Sequence, residues 1–373
     1  MPKLQFVVFL AIVLSVYAGM HLFVYWRVAS GLALAPGARL ALRWLLAAGA
    51  LSFIAGEALS RMASFRALLC AGSVWMGVLA IALAAFLAEA LLSLLLPRQR
   101  RALVLAALAL VLLVSAVSLL NAALGPGVRR LRVTLRGLPR ELDGFTIVHL
   151  SDLHAGNLTS MRRLRRIVQK TNALDPDLVC VTGDTLDGEV GRDGRYCAVL
   201  GGLKARRGVV AVTGNHEFYA GIGKFIELAR CSGWRVLRNE SWLAADGLAV
   251  AGLEEDSARS MKLPGPDLDA ALRGVPPGAT VVLLYHQPKL FPEAAARGVA
   301  LQLSGHTHAG QIPPMDLIVY LTYRYPAGLY RLGDAFIHTS PGTSTWGPPM
   351  RFLSRSQIVE LVLEAPRTSA GDA

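Results

Sequence analysis

Charge is what this chain has least of. Only 17% of its 373 residues are Asp, Glu, Lys or Arg, against 53% hydrophobic residues and a mean hydropathy of +0.45. That balance excludes an ordinary soluble domain of this size and requires part of the chain to sit in lipid. Cysteine is scarce too. Cys70, Cys180, Cys197 and Cys231 show no metal spacing, and two of them fall inside apolar runs, where they behave as small hydrophobes. They exclude a thiolate metal site and say almost nothing about compartment. No internal repeat of fixed period and no low-complexity tract is visible.

The hydrocarbon is concentrated before residue 127, in runs from Leu4 to Trp26, Leu40 to Leu59, Ala67 to Leu96 and Ala102 to Leu124. Each has about 20 residues or more, enough to cross a bilayer as a helix. The sequence therefore predicts a four-helix transmembrane region over 1–127, one globular domain over 128–364 and a disordered tail over 365–373. The first run reads as a retained anchor ending at the interfacial Trp26 and Arg27. A cleaved signal peptide is the rival, since Ala33, Leu34 and Ala35 form an A-x-A-like site. Glu89 lies deep in the third run, with no obvious partner for a proton relay. It is expected beyond the hydrophobic stretch or facing the bundle.

The net charge of +12 fits basic residues facing anionic headgroups better than nucleic acid. The first cluster, VRRLRVTLR, is expected to be juxtamembrane. The second, RRLRR at 162–166, is expected on a helix, either as a solvated face or near anionic lipid. Orientation is nearly balanced. Lys3, Arg61, Arg66, Arg129, Arg130 and Arg132 on one side oppose Arg27, Arg39, Arg43, Arg98, Arg100 and Arg101 on the other. A multi-pass protein of the cell (inner) membrane is expected, and adding Arg136 and Arg140 tips its globular domain weakly toward the cytoplasm.

After GPG at 125–127 a pattern recurs: a short apolar, β-branched run ending in polar residues. The segments are FTIVHLSDLH, DLVCVTGDTLD, GVVAVTGNHE, TVVLLYHQP and VALQLSGHTH. Continuous apolar strands suit a sheet buried on both faces, with helices expected at 160–174 and 222–231, which predicts an α/β layered domain. Loops leaving such strands pool their side chains in a crevice.

Those strand ends collect Asp152 and His154, Asp184 and Asp187, Asn215 and His216, His286, and His306 with His308. Imidazole, carboxylate and a neutral amide oxygen are the ligands of borderline divalent metals, and Mn, Zn and Fe all suit them. If the backbone is extended, residues i and i+2 point the same way, so His306 and His308, or Asp152 and His154, could face one cluster. Taken singly, Asp152 could be a helix cap, Asp184 a turn residue and His286 a core histidine. The motifs GNHE and GHTH are far more specific than D-x-H. "GLEED" at 252–256 is either a substrate loop or a solvated charge run.

With D-x-H, G-D-x-x-D, G-N-H-E, H and G-H-x-H all present in order, residues 140–364 resemble the calcineurin-like metallophosphoesterases. GNHEFY, VLRNE, GHTHAGQ, AGLY and SPGTSTWGPPMR resemble in particular the branch of transmembrane proteins with a metallophosphoesterase domain, together with bacterial relatives acting on lipid A precursors. The resemblance implies an α/β/β/α domain and two divalent metal ions. Asp152, His154 and His308 would hold one ion and Asn215, His286 and His306 the other, with Asp184 bridging. His216 would protonate the leaving oxygen and Asp187 would orient it, unless Asp187 is a surface turn residue. Two such cations about 4 Å apart can clamp phosphoryl oxygens and activate a water.

The expected activity is metal-dependent hydrolysis of a phosphodiester or pyrophosphate by a membrane-anchored enzyme. The expected partners are the bilayer and a phosphorylated, lipid-linked substrate such as UDP-2,3-diacylglucosamine. A nuclease, a cell-wall phosphatase and a non-hydrolytic receptor or transport subunit are the alternatives. The apolar IPPMDLIVYLTY after GHTHAGQ either lines a lipid approach or is a buried segment under the active-site loops.

Overall fold

A computed structural model describes residues 3–59, 62, 65–188 and 194–366; Arg61 and residues 367–373 of the expected tail lie outside the described residues. The apolar runs form helices α1 (Lys3–Gly31), α2 (Pro36–Ala58), α3 (Arg66–Leu95) and α4 (Arg100–Leu124). All four are long and apolar enough to cross a membrane.

Lipid gives little hydrophobic drive to helix association, so these helices need small residues where backbones approach. A Cβ at Gly56 would stand 2.7 Å from Leu69 Cα, and one at Gly72 2.5 Å from Phe53 Cα, so reciprocal glycines let α2 and α3 close on each other. Glu89 does face the bundle, and it has the partner that the sequence did not reveal. Arg27 Nε and Nη2 donate to its two carboxylate oxygens at 2.7 Å each, and Ser93 Oγ adds a third bond at 2.6 Å. Arg27 is thus buried in an ion pair, whereas the sequence suggested an interfacial residue.

Contacts divide the chain into two units. One comprises residues 1–123 with Ile312–Asp316 and Gly347–Leu353, the other Leu124–Gln311, Leu317–Trp346 and the remainder from Ser354. This differs from the expected boundaries by grouping two late segments with the spans. Within the first unit, Ile312 and Met350 join the apolar helix core, and Ser118 O accepts from Arg351 N at 2.8 Å.

The second unit is built on strands β1 (Gly127–Thr134), β2 (Thr146–Leu150), β3 (Ala155–Gly156), β4 (Leu178–Thr182), β5 (Leu186–Asp187), β6 (Val209–Val212) and β7 (Arg235–Val236). It continues through β8 (Glu240–Ala245), β9 (Leu248–Gly252), β10 (Thr280–Leu284), β11 (Val299–Ser304), β12 (Gly328–Leu332), β13 (Ala335–Thr339) and β14 (Gln357–Glu364). Its helices are α5 (Met161–Asn172), α6 (Arg195–Leu200), α7 (Asn215–Ala220), α8 (Ile222–Cys231), α9 (Leu268–Leu272), α10 (Phe291–Ala296) and α11 (Met315–Thr322), the last beginning in the first unit's segment.

Two six-stranded sheets form, ordered β1-β14-β2-β4-β6-β7 and β12-β13-β11-β10-β9-β8, with β3 and β5 paired apart. Ile147, Leu178, Val210 and Leu361 of the first sheet pack against Val250, Val282, Leu284 and Leu303 of the second. Each such side chain contributes about 1.5–3 kcal/mol on burial. Residues of α5, α6 and α8 cover the outer face of the first sheet, and those of α9 and α10 pack on the second, which gives the expected α/β/β/α layers.

Three details add to the sequence reading. The basic juxtamembrane stretch VRRLRVTLR supplies most of β1, paired in parallel with β14, so its arginines are strand residues. His149 and His338, singled out by no motif, meet between the sheets with Nδ1 atoms 3.1 Å apart, while His149 Nε2 reaches Thr182 Oγ1 at 2.8 Å. Burial pushes His149 down to about 3, so this pair is a neutral pin. Cys197 and Cys231, at α6 and α8, form a disulfide with Cα atoms 5.7 Å apart.

Candidate metal centre

All the polar strand ends open on one edge. Asp152 and His154 follow β2, Asp184 follows β4, Asn215 and His216 start α7 after β6, His286 follows β10, and His306 and His308 follow β11. Because β2, β4 and β6 are successive parallel neighbours, as are β10 and β11, their carboxyl ends lie side by side.

The loops are not extended, contrary to the i, i+2 expectation. Asp152, His154, Asp184, His306 and His308 all have positive φ, between 44° and 72°. Non-glycine residues rarely adopt this conformation, and holding several there is strain that the surrounding fold must sustain. Left-handed turns, not strand alternation, aim these side chains. Gly305 permits the approach beside His306, since a Cβ there would collide with Ser151 Oγ and Asp152 Oδ2.

Consequently His306 and His308 part company. His308 Nε2 lies 3.0 Å from His154 Nε2 and 3.4 Å from Asp152 Oδ1. His306 Nδ1 lies 3.0 Å from Asn215 Oδ1 and 3.2 Å from His286 Nε2. Asp184 Oδ2 stands between the groups, 3.9 Å from His154 Nε2 and 3.2 Å from His286 Nε2. Among the described residues, three overlapping sets have ligand atoms within 4.8 Å of one another: Asp152–His154–His308, His154–Asp184–His216, and Asp184–His286–His306.

His216 Nδ1 is engaged by Asp187 Oδ1 at 3.2 Å, and the rings of Tyr219 and Trp346 stand edge-on to it at centroid distances of 5.4 and 5.7 Å. Asp187 is therefore not a free surface turn residue.

Electrostatics follow from depth. Burial lowers His154 to about 4 and His306 to about 3, so both present neutral nitrogens. Burial would also depress His286, but the Asp184 carboxylate outweighs it and holds His286 well above its ordinary value. Asp152 and Asp184 stay below the carboxylate range because imidazoles offset the cost of burial, led by His308 and His286 respectively. His286 Nδ1 faces Thr182 O at 2.8 Å, which makes Nδ1 the donor and leaves Nε2 to point into the cluster. Imidazoles, those of His154 and His306 neutral, converging with buried carboxylates are a donor set that fits divalent cations.

Several supporting residues carried no sequence signal beyond their place in a motif. Glu217, the last letter of GNHE, accepts from the backbone N–H groups of Gly214, Asp184, Thr185 and Leu186 at 2.6 to 3.0 Å. It ties the Asp184 loop to the start of α7, where Asp184 Oδ1 accepts from His216 N at 2.9 Å. Tyr323 OH meets His306 Nε2 at 3.0 Å and fixes that ring. GLEED is not a solvated charge run throughout: Glu254 and Glu255 are buried, Glu254 on Thr213 and Arg238, Glu255 on Gln287, while Asp256 is partly exposed.

The calcineurin-like phosphoesterase model matches residues 145–310, which contain every one of these strand ends. The chain is 30% identical over 241 residues to an uncharacterized metallophosphoesterase of Aquifex aeolicus, covering 64% of this chain and 91% of that protein. The chain belongs to the calcineurin-like phosphoesterase family. It is also 35% identical over 271 residues to a transmembrane protein with metallophosphoesterase domain of Danio rerio, and 36% identical over 266 residues to that of Bos taurus. Those alignments cover 68% and 67% of this chain, and 62% and 60% of the relatives' own length. Family membership implies divalent metal ions, and the converging side chains are the candidates to hold them.

Proposed function

We propose that this protein is a membrane-anchored phosphohydrolase that cleaves a phosphodiester or pyrophosphate bond with two divalent metal ions. The observation that carries the reading is the placement of Asp184 between two ligand sets, since a carboxylate shared by neighbouring groups is what a dinuclear centre needs. Asp152, His154 and His308 would hold one ion, Asn215, His286 and His306 the other, and Asp184 would bridge. Bound ions would neutralise phosphoryl oxygens and activate water. His216 protonates the leaving oxygen, and Asp187 holds its Nδ1 so that Nε2 faces the substrate. A receptor that only binds phosphate has no use for this acid and its orienting carboxylate.

A lipid-linked substrate is favoured by α11, the helix between GHTHAGQ and Tyr323. Met315, Leu317, Ile318, Tyr320 and Leu321 are all exposed, Leu321 by 79%, and only Val319 is buried. An apolar, outward-facing helix adjoining a site in a membrane-anchored chain suits acyl chains or lipid. That exposure speaks against a buried segment under the loops.

The test uses the full chain in detergent, stripped of metal and reloaded with Mn or Zn. Aryl phosphodiester, aryl monoester and a lipid pyrophosphate such as UDP-2,3-diacylglucosamine are offered in parallel. Metal-dependent turnover, with the lipid preferred and activity reduced at least about 100-fold in Asp184→Asn, is expected. Two bound ions with no turnover of any ester would overturn the hydrolase reading in favour of the receptor.

A further inference from the structure

We infer that α5 is a headgroup-binding helix, whose outward basic face rests on anionic lipid of the bilayer that the spans cross and holds the candidate metal centre over the lipid surface. Its sequence, MRRLRRIVQKTN, contains no acidic residue and divides by face. Leu164, Ile167, Val168 and Thr171 are buried toward the sheet, whereas Arg162, Arg165, Arg166 and Gln169 are exposed. At 3.6 residues per turn those four fall on one side of the helix. Among the described residues, none of these three arginines forms an ion pair.

Such a face is unfavourable by itself. Like charges four positions apart, as Arg162 and Arg166 are, destabilise a helix, and arginines in its first two turns oppose the positive end of the helix dipole. Burial, and then the charge of Arg166, lower the pKa of the adjoining Arg163. A merely solvated face alternates its signs along the helix. This one carries a single sign, which an anionic partner would offset.

The other end of α5 selects that partner. Lys170 Nζ donates to Pro126 O at 2.6 Å, and Pro126 lies two residues beyond Leu124, where α4 ends. Two residues reach at most about 7 Å, comparable with a headgroup layer of about 5–8 Å. The last turn of α5 is thereby tethered where the last span leaves the hydrocarbon. On the same sheet face β1 adds the exposed Val128, opposite Ile358, which packs in one cluster with Leu164 and Ile167 of α5. A bilayer tethered so closely presents its anionic headgroups at high effective concentration, which a free nucleic acid does not match.

The first turn of α5 leads to the candidate site. Ser160 Oγ accepts from Arg163 N at 3.2 Å and caps the helix six residues after His154. Just before it, Thr159 Oγ1 meets Ser344 Oγ at 3.3 Å, and Ser344 N donates to Asp152 O at 3.2 Å. Headgroup contact along α5 therefore sets how far Asp152 and His154 stand from the lipid.

The test needs no turnover, so its failure and that of the hydrolytic reading are distinguishable. The full chain, with a fluorophore on Gln169→Cys in a Cys70→Ser background, is placed in nanodiscs of phosphatidylcholine, alone or mixed with phosphatidylglycerol, that carry a headgroup quencher. Quenching should be stronger with phosphatidylglycerol and weaken as salt is raised. Combining Arg162→Gln, Arg165→Gln and Arg166→Gln should lower the ratio of docked to undocked helix about 100-fold, while Lys at the same three positions should keep it docked. The thermal midpoint of the Gln variant in lipid-free detergent should be no lower than that of the parent, since like-charge repulsion is removed. Quenching that ignores phosphatidylglycerol, or survives in the Gln variant, overturns the inference. So does release of the helix by a DNA oligonucleotide, which would make nucleic acid the partner. If the Gln variant does not accumulate, the dependence of the parent's quenching on phosphatidylglycerol and salt decides.

Discussion

In the helix bundle, Glu89 meets the guanidinium of Arg27 in two 2.7 Å hydrogen bonds; in the sheet domain, Asp152 and Asp184 lie as deep but have imidazoles for company. The first arrangement is closed. A bidentate pair satisfies both charges, which is the condition for keeping ions in a low-dielectric interior. The second is open toward a cation, because five imidazoles and two carboxylates crowd together with ring nitrogens facing one another. Buried charge in the bundle is closed by a counter-ion from the chain itself, whereas the cluster's carboxylates face ring nitrogens that could share a cation with them.

That contrast is broken most severely at His216. His216→Ala should lower turnover on the order of 10²–10⁴-fold while metal content, read by elemental analysis, stays intact. A variant that loses metal instead would place His216 among the ligands, as its grouping with His154 and Asp184 allows.

The next effect belongs to the bundle. Glu89→Ala leaves Arg27 buried without its counter-ion and should cost about 3–5 kcal/mol, read as a fall in thermal midpoint in detergent. Replacing both residues by Leu should recover most of that loss, because a closed pair contributes little net stability. A double variant no more stable than Glu89→Ala would contradict the closed-pair description.

The smallest effect lies at the domain's rim. Burial would raise Asp177, but the Thr146 N–H and hydroxyl, with Arg206, outweigh it and hold the carboxylate below its usual range. A depressed folded-state value means that stability is present above the unfolded carboxylate range and is lost as pH falls through the folded value. Asp177→Asn should therefore cost no more than about 1 kcal/mol at neutral pH, given its partial exposure. It should also flatten the acid limb of the stability profile, measured by urea unfolding.

By itself the sequence determined what is local. Run length specified four spans, and apolar strands ending in Asp, His or Asn specified an α/β domain and named the residues that converge at the candidate site. Composition and spacing suffice for these because each depends on neighbours along the chain. Tertiary structure decided what depends on residues far apart: Arg27 on Glu89 across 62 positions, Cys197 on Cys231 across 34, and Tyr323 on His306. It also divided His306 from His308, since left-handed backbone angles, not strand alternation, aim those rings. Such angles are held by the packing of two sheets and the backbone bonds of Glu217, and only the assembled fold supplies that support.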